Sequence, residues 1–313
     1  MIRGLALAVV LAVTVCGPVR GQTVYAVSQE GGTLTPVAPP GAAIPLGKGP
    51  AQVAAGPDGR LYLAHPDTRT ISVVEGRSGR VVARLPFAGQ PFGLAVARDG
   101  RSLFVGDWSG HRVVRVSSAT GAVEGSVAVG RDPAGLVLDR AGRLYVADRE
   151  SHQVSVVDTA TLERVGTVPV GEAPFALALN PAGDRLYVAC VRSGDLHAID
   201  TATLAVVGRT VLGGMPYGVA VSGDGARILV TNQQAGTLNV LDATLAPIAK
   251  VPVGRYPEGV AISGNTAYVA NWFSDSVSVI DLSTLAETAR LPVGEGPRAL
   301  AVLAQPDTAE APR

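Results

Sequence analysis

Apolar residues in this chain fall in short runs, parted by clusters of Gly, Pro, Asn, Asp and Ser. Residues 251–290 show the pattern once through. A Gly-x-x-Pro turn at 254–257 leads into the apolar run 259–262, and a Gly264-Asn265 turn leads into 267–270. The polar loop 271–275 leads into 277–280, and a last turn at 281–284 leads into a fourth run. Runs this short, bounded by turn residues, predict four strands of an antiparallel meander.

The pattern repeats. Pro50, Pro91, Pro133, Pro174, Pro216, Pro257 and Pro297 follow one another at intervals of 40–42 residues. Three positions before each stands Gly47, Gly130, Gly171, Gly213, Gly254 or Gly294, with Ala88 the exception. Units of this length with four strands each are the mark of propeller blades. A ring residue recurs in the second strand (Tyr62, Phe104, Tyr145, Tyr187, Tyr268, with Ile228 in one unit). A carboxylate ends the third strand in most units (Glu75, Asp158, Asp200, Asp242, Asp281). Because these carboxylates recur in register beside Thr and Ser, they read as turn chemistry rather than catalysis.

The chain ends complete the count. Residues 23–37 align with the second and third strands of a unit, with Tyr25 in the ring slot, and 42–46 fit a fourth strand. The missing first strand appears at the other end, as 298–303. The expected fold is therefore an all-β, seven-bladed propeller over 22–304, with one blade assembled from both termini. Residues 305–313 read as a polar tail.

Composition adds three points. The chain is 47% hydrophobic and 17% charged, with 38 Gly and 22 Pro, which suits a turn-rich globular domain. Residues 1–21 carry Arg3, an apolar run at 5–15 and a Gly17-Pro18 break, which predicts a signal peptide cleaved after Gly21 and a periplasmic or secreted protein. The alternative is a lipoprotein leader with Cys16 acylated. Without the leader, 24 basic side chains face 26 acidic ones, so no basic footprint favours nucleic acid. Cys190 is then the one remaining cysteine, and no intrachain disulfide can form.

The units resemble the YVTN-repeat β-propeller family, in Tyr268-Val-Ala-Asn271 and in Gly254-x-x-Pro257-x-Gly259-Val-Ala. Two units are similar to the related NHL type, in 145–154 and 104–113. The resemblance implies the propeller fold. It leaves function open, because such propellers include binding platforms, lactonases, lyases and cofactor-bearing subunits of dehydrogenases.

In a propeller, the turns entering the innermost strands and the loops between second and third strands open on one face. Two slots on that face vary from unit to unit. The residue after the repeat Pro reads Ala51, Phe92, Ala134, Phe175, Tyr217, Glu258, Arg298. The residue ending the second strand reads Ser28, His65, Asp107, Asp148, Cys190, Asn232, Asn271. Aromatics outside the ring slot concentrate in the same loops: Phe92, Trp108, Phe175, Tyr217, Tyr256, Trp272 and Phe273. These rings, with Glu258, Asn271 and Arg298, are the expected binding face for a protein partner or small ligand. Two alternatives stay open: the rings plug the channel mouth, and Glu258 pairs with Arg298 instead of gripping a ligand. No cofactor is expected. The alternative is a divalent ion in the channel on His65, Asp107 and Asp148, serving a lactonase- or lyase-type enzyme. The chain is expected to be monomeric, with no membrane span.

Overall fold

The computed structural model describes residues 21–304, so most of the predicted leader and the tail at 305–313 lie outside the described residues. The chain folds into seven four-stranded antiparallel sheets, each a blade. Blade I comprises Gln52–Ala55, Arg60–His65, Thr70–Glu75 and Arg80–Pro86. Blades II to VI begin at the strands Pro91–Val96, Pro133–Leu138, Pro174–Leu179, Pro216–Val221 and Pro257–Ser263. In every one of these six, strand order follows chain order. Among the described residues, helix is confined to two three-residue 3-10 turns, Arg149–Ser151 and Trp272–Ser274. None is long and apolar enough to cross a membrane.

Blade VII joins the two ends. Pro297–Ala304 pairs antiparallel with Gln22–Ser28, which pairs with Thr33–Ala38 and then Ile44–Pro45. The pairing sets Tyr25 opposite Ala301 and Gln22 opposite Ala304. Pro297–Ala304 also packs beside the first strands of blades VI and I, so the ring is closed. The first strand of each blade is an edge of its own sheet, and it faces the channel beside the first strands of its neighbours rather than open solvent.

Most of the core lies between blades, with one further cluster at the centre around Phe92 and Phe175. One cluster joins Tyr62, Ile71, Val73 and Leu85 of blade I to Leu94, Leu103, Val105 and Val116 of blade II, and the same arrangement recurs round the ring. Second strands alternate their side chains between two buried faces, which is why they read as continuous apolar runs rather than as an amphipathic alternation. The recurring ring residue fills the seam while its polar tip finds an acceptor. Tyr25 donates to the Gly76 carbonyl of the adjoining blade at 2.8 Å, and Tyr62 donates to Asp58 at 2.9 Å. The carboxylates closing the third strands act as turn braces: Asp158 accepts from the amides of Ala160 and Thr161, and Asp200 from those of Ala202 and Thr203.

Candidate functional site

A register shift aims the variable side chains into the channel. In blade II, Pro91 pairs with Asp107 but Leu94 pairs with Val105, so the first strand carries one extra residue there. Similar shifts follow Pro133, Pro174, Pro216 and Pro257. A bulge of this kind turns its side chain out of the regular pleat. The residue after each Pro therefore points inward instead of into a seam. Gly259, just beyond Glu258, lets neighbouring first strands approach: a Cβ on it would lie 2.7 Å from the Arg298 carbonyl oxygen.

The seven rings of the expected face divide into two groups. Phe92 and Phe175 are buried at 8% and 5% exposure and meet edge to face, with centroids 5.9 Å apart. Tyr217 lies against Phe175 at 4.1 Å and Trp108 against Phe92 at 4.7 Å. Ala51 and Ala134, at the same slot in blades I and III, pack in this cluster. Small and large residues alternate there so that a few rings fill the mouth. Phe92 and Phe175 thus form a floor, in keeping with the plug. Above it opens a funnel of about 400 Å³, lined by Trp108, Arg149, Met215, Tyr217, Gln233, Tyr256, Glu258 and Arg298, with Phe175 and Val191 below. At the rim, Tyr256 meets Phe273 at 5.0 Å, and Phe273 is 56% exposed. Tyr256 takes φ 56°, a left-handed conformation that non-glycine residues adopt at a cost.

Charge enters the funnel at two neighbouring blades. Arg298 Nε stands 3.5 Å from Glu258 Oε2, and both side chains are largely buried. The contact is an ion pair without a hydrogen bond, since neither atom has a hydrogen-bond partner. The rest of Arg298 is held firmly. It donates to the Tyr217 hydroxyl at 2.8 Å and to Gln29, and its guanidinium lies over the rings of Phe92 and Trp272 at 5.4 and 5.7 Å. Gln233 donates to Glu258 Oε1 at 3.0 Å. Burial pushes the Glu258 carboxyl up to about 7, although the Arg298 charge pulls the other way. Burial likewise pushes the Tyr217 phenol up. The funnel therefore holds a fixed cation beside an acid poised to be neutral or charged near pH 7.

The second variable slot does not face the funnel as a set. In blades I, II and VI its residue ties the entering turn to the third strand. Asn271 is fully buried; its Oδ1 accepts from Gly254 N at 3.0 Å, and its Nδ2 donates to Ser276 and Ser278. Asn271 is thereby moved from the expected binding face to the blade's interior. Asp107 accepts from Gln90 N and Arg112 Nε, and Asp148 from Gln153 and Ser155. His65 uses both ring nitrogens, on the Lys48 carbonyl and the Ser72 hydroxyl, each at 2.9 Å. The channel-ion alternative on His65, Asp107 and Asp148 is corrected accordingly: each serves its own blade. Among the described residues, the one group of three metal-ligating donors brought close together is Cys190, Asp195 and His197, inside blade IV. Sequence reading missed it because Asp195 and His197 lie on the third strand, a strand read only for its repeat chemistry.

Comparison with known proteins fits this geometry. The family model described as the cytochrome D1 heme domain matches residues 139–271, less than half of the chain. That span holds eight of the ten funnel-lining residues, all but Trp108 and Arg298. No curated protein matches the sequence. Among solved structures, the chain is similar to hydrazine synthase of Kuenenia stuttgartiensis, at TM-score 0.72 and 20% identity, covering 80% of this chain and 88% of that one. It is similar to a functionally unknown protein from Desulfotomaculum acetoxidans DSM 771, at TM-score 0.78 and 14% identity, over 91% and 99%. It is also similar to streptogramin B lyase, at TM-score 0.70 and 13% identity, over 80% and 86%. At these identities the likeness shows the propeller fold alone.

The match to a haem domain overturns the expectation that no cofactor is involved. The donors present fit the periphery of such a group better than its iron. Arg298 and the rim residue Arg149 suit carboxylates, and the rings of Trp108, Tyr217 and Tyr256 suit a flat aromatic face. None of the four histidines lines the funnel, so the donors on hand for iron are the Met215 thioether and the phenols.

Proposed function

We propose that this propeller binds a flat, carboxylate-bearing ligand in the channel funnel, and that the ligand is of the haem-type tetrapyrrole class. The observation that carries the reading is Arg298. Its guanidinium is buried between aromatic faces, beside an acid that loses its charge near pH 7. Such a cation is free to take a ligand carboxylate as Glu258 becomes neutral, and a ring above it would stack on Trp108 and Tyr256. The chemical class comes from the family match across blades III to VI. A bound haem would supply redox or ligand-exchange chemistry at its iron, while the chain's residues hold the ring and its carboxylates. We read the repeat as YVTN type on the motif at 268–271, and the protein as an exported monomer on the leader pattern at 1–21.

Both tryptophans of the chain lie at this site, so intrinsic fluorescence reports it directly. Purified chain would be titrated with haemin and with metal-free protoporphyrin. The expected result is saturable quenching at one ligand per chain, weakened about tenfold or more by Arg298→Ala, the loss of about 1.4 kcal/mol or more. Quenching that is not saturable with either compound, or that is indifferent to Arg298→Ala, would reject the reading.

A further inference from the structure

In blades I, III and VI the second-strand slot and positions on the third strand form an internal hydrogen-bonded lock. In blade III the residues are Asp148, Gln153 and Ser155, and in blade VI they are Asn271, Ser276 and Ser278. In blade I, His65 is joined to Ser72. These locks close on themselves through hydrogen bonds. In blade IV the equivalent positions are Cys190, Asp195 and His197. Cys190 lies directly opposite Asp195 across the ladder, and His197 lies two residues further along the same face.

This lock does not close. Neither ring nitrogen of His197 has a hydrogen-bond partner, although the side chain is only 10% exposed. Its Nε2 stands 3.3 Å from Asp195 Oδ2. The Cys190 sulfur approaches the Val188 carbonyl at 3.9 Å. Asp195 is anchored from outside the trio: Ser193 Oγ donates to Oδ1 at 2.7 Å, and Arg209 Nε donates to Oδ2 at 2.7 Å. One donor atom from each of the three residues lies within 4.8 Å of the others. The backbone of Gly171 roofs the group, since a Cβ there would fall 2.3 Å from Ser193 Oγ and 2.4 Å from Asp195 Oδ1. A buried imidazole with both nitrogens unspent is costly, and blades I, III and VI avoid that cost with a hydrogen-bonded Ser in the same place.

We propose that Cys190, Asp195 and His197 form a binding site for a divalent transition metal of the zinc class inside blade IV. Thiolate, carboxylate and imidazole are the donor types that zinc takes, and a tetrahedral ion holds such atoms roughly 3.3–3.8 Å apart. Closing the trio from its present spacing needs side-chain movements of only about 1 Å on that geometry. The fourth position falls to Ser193 Oγ or to water. The ion would replace Arg209, whose side chain is 58% exposed and can turn to solvent, as the charge partner of Asp195. The site is separate from the funnel and does not depend on what binds there.

The test uses the full chain, reduced and freed of metal with a chelator, titrated with cobalt(II) alone and then with zinc(II). One cobalt per chain is expected, with the thiolate-to-cobalt charge-transfer absorption, and zinc should displace it. Cys190→Asn installs the residue used by blades V and VI, and His197→Ser the residue used by blades I, III and VI, so both preserve the lock's shape. Each should abolish the charge-transfer band and weaken binding at least tenfold. Arg209→Ala should tighten it, because a competing cation is removed. Failure of the wild-type chain to bind either metal in a saturable way would overturn the proposal. So would cobalt binding unchanged by both lock variants, the outcome expected if His197 and Asp195 are simply an ion pair.

Discussion

Arg298 and Glu258 meet in the funnel at 3.5 Å without a hydrogen bond between them. Each is engaged elsewhere, the arginine by Tyr217 and Gln29 and the carboxylate by Gln233. The pair is therefore a loose charge contact in a nearly dry place, where desolvation outweighs attraction. Glu258 has its carboxyl raised by burial from 4.5 to about 7. For a carboxyl raised on folding, the native state binds the extra proton between those values, so stability falls as pH rises. The contribution is fully present below about 4.5 and lost as pH passes through about 7. The groups facing Glu258 are Arg298, Tyr217 and the neutral Gln233, and the first two keep their protons throughout this range. Thermal melts of the wild type should fall from pH 5.5 to pH 8, and those of Glu258→Gln should fall less over that window. The same titration governs binding: a carboxylate ligand should bind wild type more weakly at pH 8 than at pH 6, and Glu258→Gln should bind equally at both. A wild-type affinity independent of pH would show that the ligand does not compete for Arg298.

Tyr256 sits at a position where blades I and VII have Gly49 and Gly296, both also at positive φ. The tyrosine accepts a left-handed backbone there and places its ring beside Phe273 at the rim. Asp132 and Ala173 hold the same slot at positive φ in blades III and IV, so the conformation belongs to the repeat turn, and for a non-glycine residue it costs about 1 kcal/mol or more. Tyr256→Gly should therefore leave the melting temperature unchanged or higher, while weakening ligand quenching several-fold. Loss of stability together with loss of binding would instead mark Tyr256 as packing.

Asn271 gives the opposite signature. Its amide satisfies Gly254 N and both Ser276 and Ser278 inside blade VI. Asn271→Ala leaves those buried groups without partners, at a cost of about 1–3 kcal/mol. Denaturant unfolding should show that loss, and the ligand titration should show none. An affinity change with no change in the unfolding midpoint would return Asn271 to the binding face.

Repeat spacing made the blades legible in the sequence, because Gly and Pro are demanded by backbone geometry at fixed places. The match of 23–37 and 298–303 to strand slots likewise foretold the pairing of Gln22–Ser28 with Pro297–Ala304. Variation within a slot was a weaker guide, since it arises in two physically different ways. At the slot after Pro, it reflects side chains turned into the channel by a bulge, and Glu258 and Arg298 do meet there. At the end of the second strand, it reflects alternative hydrogen-bonding solutions to one internal lock. His65, Asp107, Asp148 and Asn271 vary without sharing a site. Nor could spacing separate floor from lining, because whether Phe92 is buried depends on Phe175 two blades away.

Closure of the ring rests on one strand from the far end of the described chain. Pro297–Ala304 brings Ala299, Ala301 and Leu303 into the seam with Leu61, Leu63 and Val74 of blade I. Leu303 is 2% exposed, and Leu303→Ala should cost about 2–5 kcal/mol, the range for truncating a buried leucine. A chain ending at 296 lacks the strand, exposes the edge of Gln22–Ser28 and should aggregate on refolding. Ala304 stands opposite Gln22 in the ladder, so a two-residue Gly-Asn turn, as at 264–265, can join them. A permutant joined there and opened at the 181–183 turn of blade IV should refold as a monomer with wild-type circular dichroism. If the truncated chain also refolded as a monomer, blade VII would be dispensable and the terminal pairing would not be what closes the ring.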